Sequence, residues 1–248
     1  MITKLKKKLK FTGVLLVTSL FALITQDLFA LEKKINLKSW EGPYVGLGYS
    51  DSKLVDEHIE YSVSDETANG YTGDTSIKNE KTPFILIGHN WVHEKNILSG
   101  VEFSIEKRNF FKDDYQKLNG VTTTSFPTMV KSKGYGYSLK GRVGEIINEQ
   151  RTLIYVTGGI VQIPIERKYC FNSCYSGSDI DTYSRNERGL ILGLGLEHKF
   201  QGDISFKFDY ERREYSTPDF IPVNAWSGLK EIHDTTEDSF KVSLVKSF

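Results

Sequence analysis

An all-β chain, closing as a transmembrane antiparallel up-and-down barrel of eight strands, is predicted by three observations. Eight segments alternate apolar and polar residues with period two, which puts successive side chains on opposite faces of a strand. The connections are long near 53–81, 112–130, 168–188 and 216–237, and short near Val92–Asn96, Ile147–Arg151 and Gln201–Asp203. Long loops at one end and short turns at the other are the habit of outer-membrane barrels. Finally, Phe240, Val242, Leu244 and Phe248 share one parity in the last segment, as on a strand held by neighbours on both sides. A soluble sandwich or lipocalin-like barrel shares the alternation but lacks the systematic loop asymmetry.

Each strand is justified by its own pattern. Near Gly42–Ser52, Val45, Leu47 and Tyr49 oppose Gly46, Gly48 and Ser50. Near Thr82–Trp91, Ile85 and Ile87 continue to Trp91, with Pro83 at the start, as Pro43 is in the first strand. Near Ile97–Phe110, Val101, Phe103 and Ile105 oppose Glu102, Ser104 and Glu106. Near Lys131–Glu145, Tyr135, Tyr137, Leu139 and Val143 oppose Ser138, Lys140 and Arg142. Near Thr152–Arg167, Leu153, Tyr155 and Val161 form the apolar parity. Near Gly189–Phe200, Leu190, Leu192, Leu194 and Leu196 oppose Gly193, Gly195 and Glu197. Near Ile204–Tyr215, Ile204, Phe206, Phe208 and Tyr210 oppose Lys207, Asp209 and Glu211. In the eighth strand the inner parity is Lys241, Ser243 and Val245. A hairpin hidden in a long loop would raise the count to ten.

The zero net charge averages two different segments. Residues 1–30 carry five lysines and one aspartate, which leaves 27 basic and 31 acidic residues (32 less 5, and 32 less 1) in the remainder. A basic start, an apolar run from Phe11 to Ile24 and a polar stretch to Ala30 predict a cleaved secretory signal peptide over 1–30. The alternative is an uncleaved N-terminal anchor, for which the run is short of the roughly 20 residues a spanning helix needs. The expected organisation is a signal peptide over 1–30, a short periplasmic segment over 31–41 and the barrel over 42–248. No clustered basic residues suggest a nucleic-acid partner.

With the apolar parity toward lipid, the other parity fills the lumen. It supplies Glu102, Glu106, Glu197, Asp209 and Glu211 against Lys140, Arg142, Lys207, Arg213 and Lys241. Eight strands enclose a space just wide enough for side chains, so a neutral cross-linked plug is expected in place of a pore, with an ion path or proton relay as the alternative. Glu102 and Glu106 are expected to face Lys140 and Arg142. Trp40, Tyr44, Trp91, Phe110, Phe111, Tyr169, Phe200 and Phe248 lie near strand ends and are read as interfacial girdles.

Several stretches resemble the small outer-membrane barrels of the opacity/porin-like surface-antigen family. They are Gly42–Ser50, Ile87–Trp91 (with His89 where tyrosine is more usual), Gly141–Gly144 and Leu153–Gly159. Phe248 is similar to that family's C-terminal signal to the barrel-assembly machinery. The resemblance covers 42–248 without the loops, and implies an eight-stranded barrel, often with no defined activity.

Other chemistry is sparse. Cys170 and Cys174, the only cysteines, sit four apart in the third long loop, where export favours a small disulfide over free thiols. Histidines at 58, 89, 93, 198 and 233 are scattered, and no catalytic set, metal site or cofactor is read from them. Gly189–Gly195 leads into an alternating strand, so it is not read as a nucleotide loop. The expected role is a structural, surface-antigen barrel. Its partners would be outer-membrane lipid and lipopolysaccharide, the assembly machinery, and host or phage surface molecules at the loops. An adhesin or ligand-binding barrel is the alternative, ahead of a small porin or a lipid A-modifying enzyme.

Overall fold

The computed structural model describes residues 37–62, 68–118, 121–148, 151–170, 180–200, 203–217, 219 and 229–248. Eight strands follow in order: β1 (Gly42–Ser62), β2 (Ala68–Val92), β3 (Ile97–Leu118), β4 (Val121–Ile147), β5 (Thr152–Cys170), β6 (Ile180–Lys199), β7 (Ile204–Ser216) and β8 (Leu229–Ser247). Each pairs antiparallel with its neighbour, and β8 returns to β1, so the sheet is a closed barrel. The closing seam runs without a register shift from Tyr44 opposite Ser247 to Ser62 opposite Leu229. The predicted signal peptide lies outside the described residues. Of the segment 31–41, a 3-10 turn at Leu37–Trp40 leads into β1.

The outer face is the apolar one along the middle of the barrel. Leu47, Ile85, Leu139, Val156, Leu192 and Phe240 are all exposed there, while their sequence neighbours are on the inward parity and are buried or half-buried. This inverts a soluble protein, and it is stable only if the outer face meets lipid.

Four expectations need correction. The long connections are far shorter than predicted, because most of 53–61 and 68–81, and comparable stretches of the other three hairpins, are strand. In β1 the inward parity simply continues through Leu54, Asp56, His58 and Glu60, all buried. Outward neighbours such as Lys53 and Glu57 are polar too, so hydropathy shows no contrast where the wall has left the lipid. Second, Pro83 lies inside β2, beside the break in β2–β3 register between Thr72 and Phe84. Its missing N–H coincides with that break. Third, Leu153, Tyr155 and Val161 face inward, and Ile154, Val156 and Ile160 face out, because both parities of β5 are apolar. Fourth, half of the aromatic girdle is internal. Trp40, Tyr44, Phe110 and Tyr169 are buried, whereas Trp91, Phe111 and Phe248 are exposed.

The buried aromatics pack inside the ring. Trp40 packs with Leu98, Ile146, Leu153 and Tyr155 at the short-turn end, and the Lys199 ammonium stands 4.9 Å from its ring. Tyr155 lies over Gly195, its partner on the neighbouring strand, and Tyr44 does the same over Gly88; a Cβ at either glycine would collide with the ring.

Candidate functional site

The interior is the site, and it has two layers. The lower layer lies at the height of the outer apolar belt. It holds six acids (Glu102, Glu106, Glu197, Asp209, Glu211, Glu237) and six bases (Arg108, Lys140, Arg142, Lys207, Arg213, Lys241), all buried. Period-two geometry puts each on the inner parity of β3, β4, β6, β7 or β8.

The pairs link opposite walls as well as neighbouring strands. Lys140 Nζ reaches Glu102 at 2.9 Å and Glu211 at 2.6 Å, and Lys207 also pairs with Glu102. Arg142 donates to Glu197 at 2.7 Å and to Asn90 Oδ1 at 2.8 Å, with its guanidinium 4.6 Å over the Tyr44 ring. Arg213 is the hub, reaching Glu211 at 2.9 Å and both Glu106 and Glu237 at 3.1 Å. Arg108 binds Glu106 and Glu237 at 2.9 Å each, and Lys241 lies 3.2 Å from Glu211 and 3.3 Å from Glu106. The Tyr155 hydroxyl donates to Asp209 and the Tyr215 hydroxyl to Glu237.

All ten predicted lumen residues are brought together, with different partners in places. Lys140 meets Glu102 as expected, but Arg142 turns to Glu197 across the lumen, and Glu106 takes Arg108, Arg213 and Lys241. Arg108 and Glu237 were missed. The signal was present, since Arg108 keeps the parity of Glu102 and Glu106, and Glu237 that of Lys241.

The upper layer lies beyond the belt, toward the long hairpins. There the inner parity gives Asp56, His58 and Glu60 on β1, Arg167 and Tyr169 on β5, Asp181 and Glu187 on β6, and Glu231, His233 and Thr235 on β8. Arg167 forks onto Asp56 at 2.8 and 3.0 Å, pairs with Glu187 and donates to Thr235. His58 and His233 are directly opposite across the closing seam, their rings 5.3 Å apart. His233 lies 3.3 Å from both Asp56 and Glu231, and its Nε2 is 2.6 Å from the Tyr169 hydroxyl. Burial opposes charging in this layer. Even so, Arg167 and His233 hold the Asp56 carboxyl well below its usual range, and Asp56 raises His233 above the ordinary histidine value. Burial dominates at His58 and pushes it down.

Among the described residues no group of three or more His, Cys, Asp or Glu side chains is placed to hold a metal ion. Cys170 ends β5 as a disulfide-bonded cysteine, while Cys174 lies outside the described residues. Phe248, expected as the assembly signal, is exposed at the short-turn end, where its N–H bonds the Pro43 carbonyl.

Residues 14–248 match the family described as outer membrane protein beta-barrel domain. No curated protein matches the chain in sequence. Among solved structures, the outer membrane protein OprG from Pseudomonas aeruginosa is similar at 12% identity and TM-score 0.48, over 84% of this chain and 96% of that one. Ail, the attachment invasion locus protein of Yersinia pestis, gives 14% and 0.43 over 84% and 99%. The outer membrane protease OmpT from Escherichia coli gives 8% and 0.46 over 84% and 97%. At such identities these likenesses carry no argument about activity.

Proposed function

The chain belongs to the outer membrane protein β-barrel domain family, and from that premise we propose that it is a structural, surface-exposed barrel, closed by its own ion pairs, without a pore or a catalytic role. The observation that carries this reading is the balance of the lower layer. Six acids and six bases are buried at belt height and cross-linked from wall to wall. An eight-stranded ring leaves room for side chains and little else. An ion crossing this layer would have to break several buried pairs, each costing several kcal/mol to separate.

The same pairing supports a non-catalytic interior, because the lower-layer carboxylates are held by arginines and lysines, and the Ser205 hydroxyl donates to Glu197, a carboxylate that Arg142 already binds. By the usual sidedness of such barrels the short turns lie in the periplasm and the long hairpins outside. The hairpins then carry whatever contact the protein makes with host or phage surfaces, and Phe248 lies at the end that meets the assembly machinery.

Planar-bilayer recordings of the folded protein test the closed lumen. No stable, uniform conductance steps are expected, and reproducible large channels would overturn the reading.

A further inference from the structure

We infer that the outer wall of β3 and β4 carries a binding site for a phosphate group of lipid A, formed by Lys107 and Lys133 with Tyr135 beside both. The inference rests on the outer-membrane placement and is independent of the closed lumen.

The height is set by the wall itself. On β4 the outward residues Val143, Gly141, Leu139, Tyr137 and Tyr135 are exposed to the surroundings, and Lys133 is the next one up. At about 3.3 Å per residue and a tilt near 40°, Val143 to Tyr135 spans roughly 20 Å along the membrane normal. An apolar band about 25 Å tall therefore ends near Lys133. That edge, on the long-hairpin side, is where the phosphates of the outer leaflet lie.

The geometry suits one phosphate. Lys107 is directly opposite Tyr135, and Lys133 opposite Asn109. The two lysines are thus diagonal neighbours on one face, about 7–8 Å apart. Both side chains are exposed, and neither takes part in an ion pair among the described residues. Tyr135, opposite Lys107 and next to Lys133 on the outer face of β4, is 58% exposed, and Phe103 stacks on Tyr137 below, with centroids 6.4 Å apart. The lower edge is a surface for acyl chains, and the upper edge offers two unneutralised ammonium groups.

Charge is distributed unevenly round the ring. Across β3–β5 the described outward charges above the belt are Lys107, Lys131, Lys133 and Lys168 against Glu166. Across β7, β8 and β1 they are Arg212, Lys230 and Lys53 against Glu214, Asp234, Asp238, Asp51 and Glu57. In the first sector Glu166 takes Lys131 at 3.5 Å and Lys168 at 3.9 Å, apart from Lys107 and Lys133; in the second Arg212 lies 3.4 Å from both Glu214 and Asp238. A lipid that carries phosphate is attracted to the first sector and repelled by the second.

Native mass spectrometry of the folded full chain, titrated with bisphosphorylated lipid A, tests this. Wild type should retain one lipid A about 30-fold more tightly than the same lipid stripped of its phosphates, at about a fivefold step for each of the two ammonium contacts. K107Q/K133Q should lose that preference, K107R/K133R should keep it, and K53Q on the acidic side should behave as wild type. Equal binding of the dephosphorylated lipid by wild type would overturn the site without any variant. So would an unchanged preference in K107Q/K133Q, or phosphatidylglycerol binding as tightly as lipid A.

Discussion

The two layers of the lumen solve the same problem differently. At belt height, six carboxylates meet six arginines and lysines. Above it, Asp56 and Glu187 meet one guanidinium, Arg167, and Asp56 and Glu231 lie beside His233, which faces His58. Inside lipid there is no water to attend a stray charge, so each carboxylate is given an arginine or a lysine as partner. Near the mouth, balance can be left to imidazoles that titrate. The difference shows that burial alone does not dictate ion pairing; the distance to water does.

Removing one cation from each layer should have unequal consequences. Arg213→Met should cost about 3–5 kcal/mol, because Glu106, Glu211 and Glu237 lose a shared partner. Urea unfolding in liposomes would read this as a global shift. Arg167→Met should instead raise amide exchange mainly in the upper parts of β1, β5 and β8. Equal global losses for the two variants would mean that the layers are not distinct.

A smaller effect concerns space at belt height. Gly195→Ala pushes a methyl into the Tyr155 ring, which is held by Asp209, and should cost about 1–3 kcal/mol. Gly158→Ala, whose Cβ would meet its nearest atom at 3.8 Å, should leave the midpoint unchanged. A loss of equal size at Gly158 would show that packing is not what limits this layer.

The smallest effect should appear with pH, in the upper layer alone. His233 is raised in the folded state, so its contribution is fully present below the unfolded value of about 6.5 and is lost as pH rises through the folded value. His58 is lowered, so it works in the opposite sense, weakening the fold as pH falls below about 6.5. Exchange protection of the β1–β8 seam around Glu57–Ile59 should therefore fall on the alkaline side, and His233→Asn should abolish that fall. An alkaline loss that persists in the variant would assign it elsewhere.

The sequence and the structure agree where the two parities differ in chemistry. Strands β3, β4, β7 and β8 alternate charge against hydrocarbon in the belt, and their inner residues were readable one by one. Two situations hid the rest. In β5 Leu153 and Ile154 are both apolar, so parity has no sign, and only the ring shows that Leu153 points inward. Above the belt, Asp56 and Glu57 are both acidic, so the continuing strand read as loop and the upper layer went unseen. Arg108 and Glu237 fell at that boundary. Trp40 could not be placed from sequence because its burial depends on Leu98, Ile146 and Leu153, which come from three different strands.

The unbroken β1–β8 register bears on how the ring comes apart. Its partners are the most distant in sequence of any seam, joining Tyr44 to Ser247, so closing it carries the largest loop entropy. Yet it is paired without interruption, whereas β2–β3 loses register between Thr72 and Phe84. A barrel built this way has its weakest seam away from the join between first and last strands. Under force or denaturant, fraying should begin between β2 and β3 and leave the closing zipper until late.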